Sequence, residues 1–163
     1  MKNWTSNDFR DWVGGLKTPQ TLTDSLRQEI ADKFEAIVDH PEHILAIDFD
    51  LTICMSDYPK LGKQRLNAGY VIRKLFDEGF GIVINTCREG HALSDAMHWL
   101  KEHDIPYHYI NCNFPHLIEK YGADCRKISA DMYIDDKGVE PLPEWDRIYD
   151  IITKKFNQYN RRS

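Results

Sequence analysis

The stretch Ile44-Leu45-Ala46-Ile47-Asp48-Phe49-Asp50-Leu51-Thr52 runs an almost wholly apolar segment into two aspartates one residue apart, with a threonine two further on. A β-prone run with no polar alternation suits a strand buried on both faces of a parallel sheet. Such a strand ends at the carboxyl edge, where open α/β folds gather their chemistry. Two carboxylates there repel each other unless something positive sits between them, most simply a metal ion. Taken alone, Asp48 and Asp50 read more often as a turn or a helix cap than as a site; what lies downstream decides their role.

Downstream, apolar runs alternate with helical periodicities. Phe80 to Asn85 reads as a second strand, ending in Thr86-Cys87-Arg88-Glu89-Gly90. A third strand is expected near Tyr107 to Ile110 and a fourth at Asp131-Met132-Tyr133-Ile134, running into Asp135-Asp136. Between them, helices are predicted over about 63–78, with Leu66, Tyr70, Val71, Leu75 and Phe76 inward, and over about 91–103. The second helix has Ala92, Leu93, Ala96, Met97 and Leu100 as its stripe. A short helix is expected at about 116–121. The last helix carries Trp145, Ile148, Tyr149, Ile152, Phe156 and Tyr159 on one face. Residues 53–62 contain Pro59 and Gly62 and read as irregular chain. Strands alternating with helices predict an α/β three-layer sandwich around a parallel sheet of about four or five strands, with right-handed crossovers.

The region before this core, residues 1–40, reads as an N-terminal helical extension. Ser6 can cap a short helix carrying Phe9, Trp12 and Val13. A longer one begins near Thr21 or Thr23 and sets Leu26, Ile30, Phe34, Ile37 and Val38 on one face. It covers the sheet, roofs a site or forms a dimer contact. The core domain then spans 41–163, in a single-domain chain.

The 163 residues are 42% hydrophobic and 29% charged, which suits one soluble domain with its own core. No apolar run approaches a membrane span, and the first residues lack the apolar centre of a signal peptide; a cytoplasmic protein with no membrane partner is expected. Cys54, Cys87, Cys112 and Cys125 form no CxxC pair and are expected as free thiols. His98, His103, His108 and His116 have no diagnostic ligand spacing and read as scattered side chains. The formal net charge of −5 disfavours nucleic acid as the main partner. A homo-oligomer stays open.

In a parallel sheet, strand ends far apart in sequence meet at one edge. That brings together Asp48, Asp50, Thr86, Asp135 and Asp136, with Lys127 just before the last strand. Several carboxylates, a hydroxyl and an ammonium at one edge suit a cation and an anion bound together. Magnesium with a phosphate group satisfies both, since hard carboxylate oxygens fit its octahedron.

The order Asp48-Phe49-Asp50-Leu51-Thr52, then Thr86, then Lys127, then Asp135-Asp136 resembles the haloacid dehalogenase (HAD) superfamily of phosphohydrolases, over about residues 42–138. The resemblance implies a mechanism. Asp48 is the nucleophile that forms an aspartyl-phosphate. Asp50 protonates the leaving oxygen and then activates water. Thr86 binds a phosphate oxygen. Lys127 offsets negative charge on Asp48 and the phosphate. Mg2+ is held by Asp48, the Asp50 backbone carbonyl and Asp135, with Asp136 as helper or second ligand. The second aspartate, Asp50, favours phosphate-ester chemistry over carbon–halogen cleavage. Two departures stand out. Leu51 occupies a position where glycine is frequent. Lys127 lies close before Asp135, and its neighbour Arg126 is an alternative cation.

Arg88 follows Thr86 by two residues and reads either as a surface or capping side chain or as a substrate contact at the rim. Thr52 reads as a brace for the loop. Neither inter-motif stretch is long enough for an inserted cap domain, so the site is expected to be open to a phosphorylated substrate, even a large one. A phosphotransferase or nucleotide phosphatase on the same core, and a low-turnover phosphate-binding or regulatory module, are the alternatives. A response-regulator receiver uses the same residue types in a different order, with its acidic pair first.

Overall fold

The computed structural model describes residues 40–159, with side chains through residue 156. The two N-terminal helices expected within 1–40 and the side chain of Tyr159 lie outside the described residues.

The chain is an α/β fold. Strand β1 (Ile44–Ile47) is followed by a hairpin, β2 (Cys54–Asp57) and β3 (Lys60–Gln64), then helix α1 (Ala68–Asp77). Next come β4 (Gly81–Ile84), α2 (Gly90–Glu102), β5 (Tyr109–Ile110), α3 (Pro115–Tyr121), β6 (Met132–Ile134) and α4 (Trp145–Tyr159). Four strands make one sheet in the order β5-β4-β1-β6, and every pairing in it is parallel. β1 and β4 are buried along their whole length, which is why their sequences carry no polar alternation.

Successive residues of β1 point to opposite faces, and each face has its own core. Leu45 and Ile47 pack with Ile82, Ile84 and Ile134 beneath α1, α2 and α4; Phe49 and Trp145 belong to the same cluster. Ile44 and Ala46 pack with Val83, Phe114 and Ile128 on the other face, where Leu117 of α3 joins them. The sheet thus has helices on both sides, the three-layer Rossmann-like arrangement expected.

Three elements differ from expectation. Residues 53–62 are not irregular: most of them form the β2–β3 antiparallel hairpin. Gly62 is what lets it close, since a Cβ there would lie 1.8 Å from the Met55 carbonyl oxygen. Cys54 Sγ accepts from the Gly62 N–H at 3.2 Å, and Trp99 Nε1 donates to the Gly62 carbonyl at 3.1 Å. Helix α1 begins at Ala68, because Lys60–Gln64 is strand. Its buried stripe is therefore Ala68, Val71, Ile72 and Leu75, while Leu66 (75% exposed) and Tyr70 (68%) face outward. In α2 the stripe is Ala96, Trp99 and Leu100, and Met97 is exposed.

Candidate functional site

The parallel ladder carries the polar residues to a single edge. At the end of β1, the Asp48 N–H donates to the Ile134 carbonyl (2.9 Å), and the Asn85 N–H donates to the Ile47 carbonyl (2.8 Å). Asp48 therefore lies between Asn85-Thr86 on one side and Asp135-Asp136 on the other. One carboxylate oxygen from each of Asp48, Asp135 and Asp136 lies within 4.8 Å of the others.

Thr52 ties this cluster together. Its hydroxyl donates to Asp48 Oδ2 at 3.0 Å and accepts from the Asp136 N–H at 3.1 Å. Its carbonyl accepts from Nε1 of the fully buried Trp145 at 3.0 Å. The loop carrying Asp50 is thus braced from α4, as the sequence suggested for Thr52. Leu51 has φ 60°, the left-handed conformation that glycine favours. The departure at this position is a side chain fitted to a glycine-type backbone, with Leu51 itself turned outward.

Burial raises the Asp48 carboxyl from 3.8 to about 7; the charges of Asp135 and Asp136 push the same way, against the Thr52 and Phe49 hydrogen bonds. A carboxylate so placed gains from any cation that settles among the three.

Asp50 has a different environment. Burial would raise its carboxyl too, but hydrogen bonds from Arg88 and Ser56, with the charges of Arg88 and Lys137, hold it below 3.8. Arg88 Nε donates to both carboxylate oxygens (3.1 and 2.9 Å) and Nη2 to Oδ1 (2.7 Å). The Ser56 hydroxyl, on β2, donates to the same oxygen.

Arg88 is not a surface side chain. It is 0% exposed. Its Nη1 donates to the Pro59 carbonyl at 3.0 Å, and its guanidinium lies 5.3 Å from the Phe49 ring centroid and 5.2 Å from that of Tyr58. The Asp50 pair raises its pKa further.

Thr86 is nearly buried and held from β5. The Asn111 side chain accepts from the Thr86 N–H at 2.7 Å and donates to its carbonyl at 2.8 Å. Asn111 was missed in the sequence. The available signal was an asparagine just past a strand, a residue type that tolerates the φ of 52° found there. The Thr86 hydroxyl accepts from the Arg88 N–H at 3.2 Å and keeps its own hydrogen for another acceptor.

Lys127 is not brought onto Asp48. Its ammonium lies over the Tyr133 ring, 5.8 Å from the centroid. Tyr133 pairs with Ala46, two residues before Asp48 on β1. Arg126 is exposed. The cation missed from sequence is Lys137, whose charge acts on Asp50. The four histidines are separate: His98 contacts the Ser94 carbonyl, His103 stacks on Trp99, His108 on Phe76, and His116 lies against His40. Among the described residues, no helix is long and apolar enough to cross a membrane.

No family model matches the chain, and no curated protein does. A solved structure does: a conserved protein coded by a locus from Bacteroides thetaiotaomicron. It is 31% identical with a TM-score of 0.63, over 69% of this chain and 91% of that one. The chain belongs to the same family as that conserved protein, and the likeness extends to the α/β fold.

Proposed function

We propose that the protein is a magnesium-dependent phosphohydrolase of the HAD type, cleaving a phosphomonoester through an aspartyl-phosphate on Asp48. The observation that carries this reading is the cluster of Asp48, Asp135 and Asp136, three carboxylates whose oxygens approach within 4.8 Å at the sheet edge. Burial and the charges of Asp135 and Asp136 raise the Asp48 carboxyl, so a cation held among the three would favour its ionised form. Three hard oxygen donors fit Mg2+ and leave room for phosphate oxygens. When bound, the ion would neutralise charge on the nucleophile and the phosphoryl group. The resemblance makes Asp135 the principal partner ligand and Asp136 the helper or second ligand, and both lie in the cluster with Asp48.

Each residue then has a task. Asp48 Oδ attacks phosphorus as the bond to the leaving oxygen breaks. Thr52 holds that carboxylate in line through its hydroxyl. Thr86, fixed by Asn111, offers its hydroxyl hydrogen to a phosphate oxygen. Water then attacks the aspartyl-phosphate, the Asp48–phosphorus bond breaks, and inorganic phosphate leaves. Asp50, ionised beside Arg88 and Ser56, suits this second half, where it takes the proton from water. The first half is then easiest for leaving groups that are stable as anions. The lysine role that the resemblance assigns to Lys127 has less support, because its ammonium rests on Tyr133; Arg88 and, after it, Lys137 are the cations whose charge acts on Asp50. A cytoplasmic location and a phosphorylated substrate belong to the same proposal.

Hydrolysis of 4-nitrophenyl phosphate with and without magnesium tests it. Asp48→Asn is expected to lose at least about 100-fold in kcat, in keeping with removal of a nucleophile. Turnover independent of magnesium, or untouched in Asp48→Asn, overturns the assignment. One observation favours the second reading, a low-turnover phosphate-binding module: no lysine or arginine ranks among the main influences on Asp48. Magnesium-dependent phosphate binding without hydrolysis would select it.

A further inference from the structure

We infer that Arg88 is a positioning residue: its guanidinium fork fixes the Asp50 carboxylate and locks the β2–β3 hairpin onto it. The inference rests on the phosphohydrolase reading and adds a residue to it, acting through Asp50 rather than on substrate.

The geometry leaves Arg88 little else to do. A guanidinium with no exposed surface is costly unless its donors are satisfied. Here Nε and Nη2 meet the two oxygens of Asp50, and Nη1 meets the Pro59 carbonyl. Its guanidinium also lies near the rings of Phe49, in the core, and Tyr58, on the hairpin tip. An incoming phosphate finds this side chain wholly covered by protein.

The same residue reaches three parts of the site. Its side chain holds Asp50 from the first loop and Pro59 from the hairpin. Its backbone N–H donates to the Thr86 hydroxyl. The hairpin answers by sending Ser56 to Asp50. Asp50 is therefore gripped from two sides, by a residue after β4 and a residue on β2. A planar fork is what this junction needs. Lysine, a single ammonium, cannot hold both carboxylate oxygens and a carbonyl in fixed directions.

Steady-state kinetics on 4-nitrophenyl phosphate with magnesium separate this role from substrate binding. Arg88→Lys and Arg88→Met are expected to lower kcat by about 10- to 100-fold, the scale of a small misplacement of a reacting group, with KM within about twofold of wild type. Guanidinium ion in the buffer is expected to restore part of kcat in Arg88→Ala and none in Asp50→Asn. A rise in KM with kcat unchanged makes Arg88 a substrate contact and overturns the inference; unchanged kcat and KM in a folded variant overturns it equally. Where Arg88→Met or Arg88→Ala does not fold, Arg88→Lys and Ser56→Ala carry the comparison. Ser56→Ala removes one hydrogen bond to Asp50 and is expected to lower kcat about three- to tenfold.

A measurement free of turnover separates the two ideas. In 15N-labelled protein, the Arg88 Nε–H should exchange slowly in wild type and rapidly in Asp50→Asn. Slow exchange in a wild type that hydrolyses no phosphate ester sinks the phosphohydrolase reading, and the catalytic part of this inference with it, while leaving the pairing intact. Rapid exchange in wild type sinks the pairing itself.

Discussion

Thr52 shows how much one hydroxyl carries at this edge. It donates to Asp48, accepts from the Asp136 N–H, and stands on a loop pinned by Trp145. Thr52→Val keeps the shape and removes the hydroxyl, leaving the Asp136 N–H without its acceptor. The expected cost is about 1–3 kcal/mol in chemical denaturation, with weaker magnesium binding by titration calorimetry. Stability and affinity both equal to wild type would deny the hydroxyl this role. Leu51 is the opposite case. Its φ of 60° carries a penalty of about 1–2 kcal/mol for a residue with a Cβ. Leu51→Gly removes it while adding freedom to the unfolded chain. The two effects nearly cancel, and the folded protein is expected to change in stability by less than about 1 kcal/mol. Within the acidic cluster, Asp135→Ala is expected to weaken magnesium binding more than Asp136→Ala, in keeping with the ligand roles proposed for them. Calorimetry giving the reverse order would exchange their roles.

At the scale of elements, the hairpin is the piece that brings Ser56 and Pro59 to the Asp50–Arg88 pair. Gly62 is its weak point. Gly62→Ala would drive a methyl group into the Met55 carbonyl, and backbone cannot yield as a side-chain tip can. The hairpin must shift, so loss of about 1–3 kcal/mol is expected in denaturant unfolding. Faster hydrogen exchange should be confined to about residues 54–64, and uniform exchange across the domain would argue against a local effect. This element was also the least legible in the sequence. Cys54–Asp57 and Lys60–Gln64 are short, polar and broken by Pro59, and what holds them comes from afar, through Trp99 to Gly62 and Arg88 to Pro59. The sheet strands are different. Ile44–Ile47 and Gly81–Ile84 are buried on both faces, so burial is written into their composition. Because parallel strands end at one edge, the meeting of Asp48 with Asp135 and Asp136 could be anticipated. The partner of Asp50 could not, since nothing local announces a buried arginine 38 positions away. Helix α1 shows the middle case: its periodicity was readable, but a start misplaced into β3 turned Tyr70 inward on paper and outward in the fold.

For the whole molecule, Asp48 and Asp50 set opposite limits on stability. Asp50 has a folded pKa below its unfolded value of 3.8, so the stability it contributes is present above that value and is lost as pH falls through the folded pKa. Asp48 runs the other way. Its carboxyl titrates near 3.8 unfolded and about 7 folded. The folded state holds that proton more tightly, so its contribution is complete below 3.8 and disappears as pH rises to about 7. After allowance for solvent around a partly exposed group, the loss is on the order of 2 kcal/mol. Metal-free protein should therefore melt at its highest temperature in mildly acidic buffer and at a lower one near pH 8. A divalent cation among Asp48, Asp135 and Asp136 favours the ionised carboxylate and reverses the loss. Magnesium should then raise Tm more at about pH 8 than at about pH 5.5, where it competes with the Asp48 proton. Differential scanning calorimetry in chelator and in magnesium, at both pH values, measures this directly. Asp48→Asn supplies the control, because a neutral amide should flatten the alkaline fall and remove most of the magnesium effect. A magnesium-induced shift equal at both pH values, or larger on the acid side, would mean that Asp48 is not the carboxylate the cation meets.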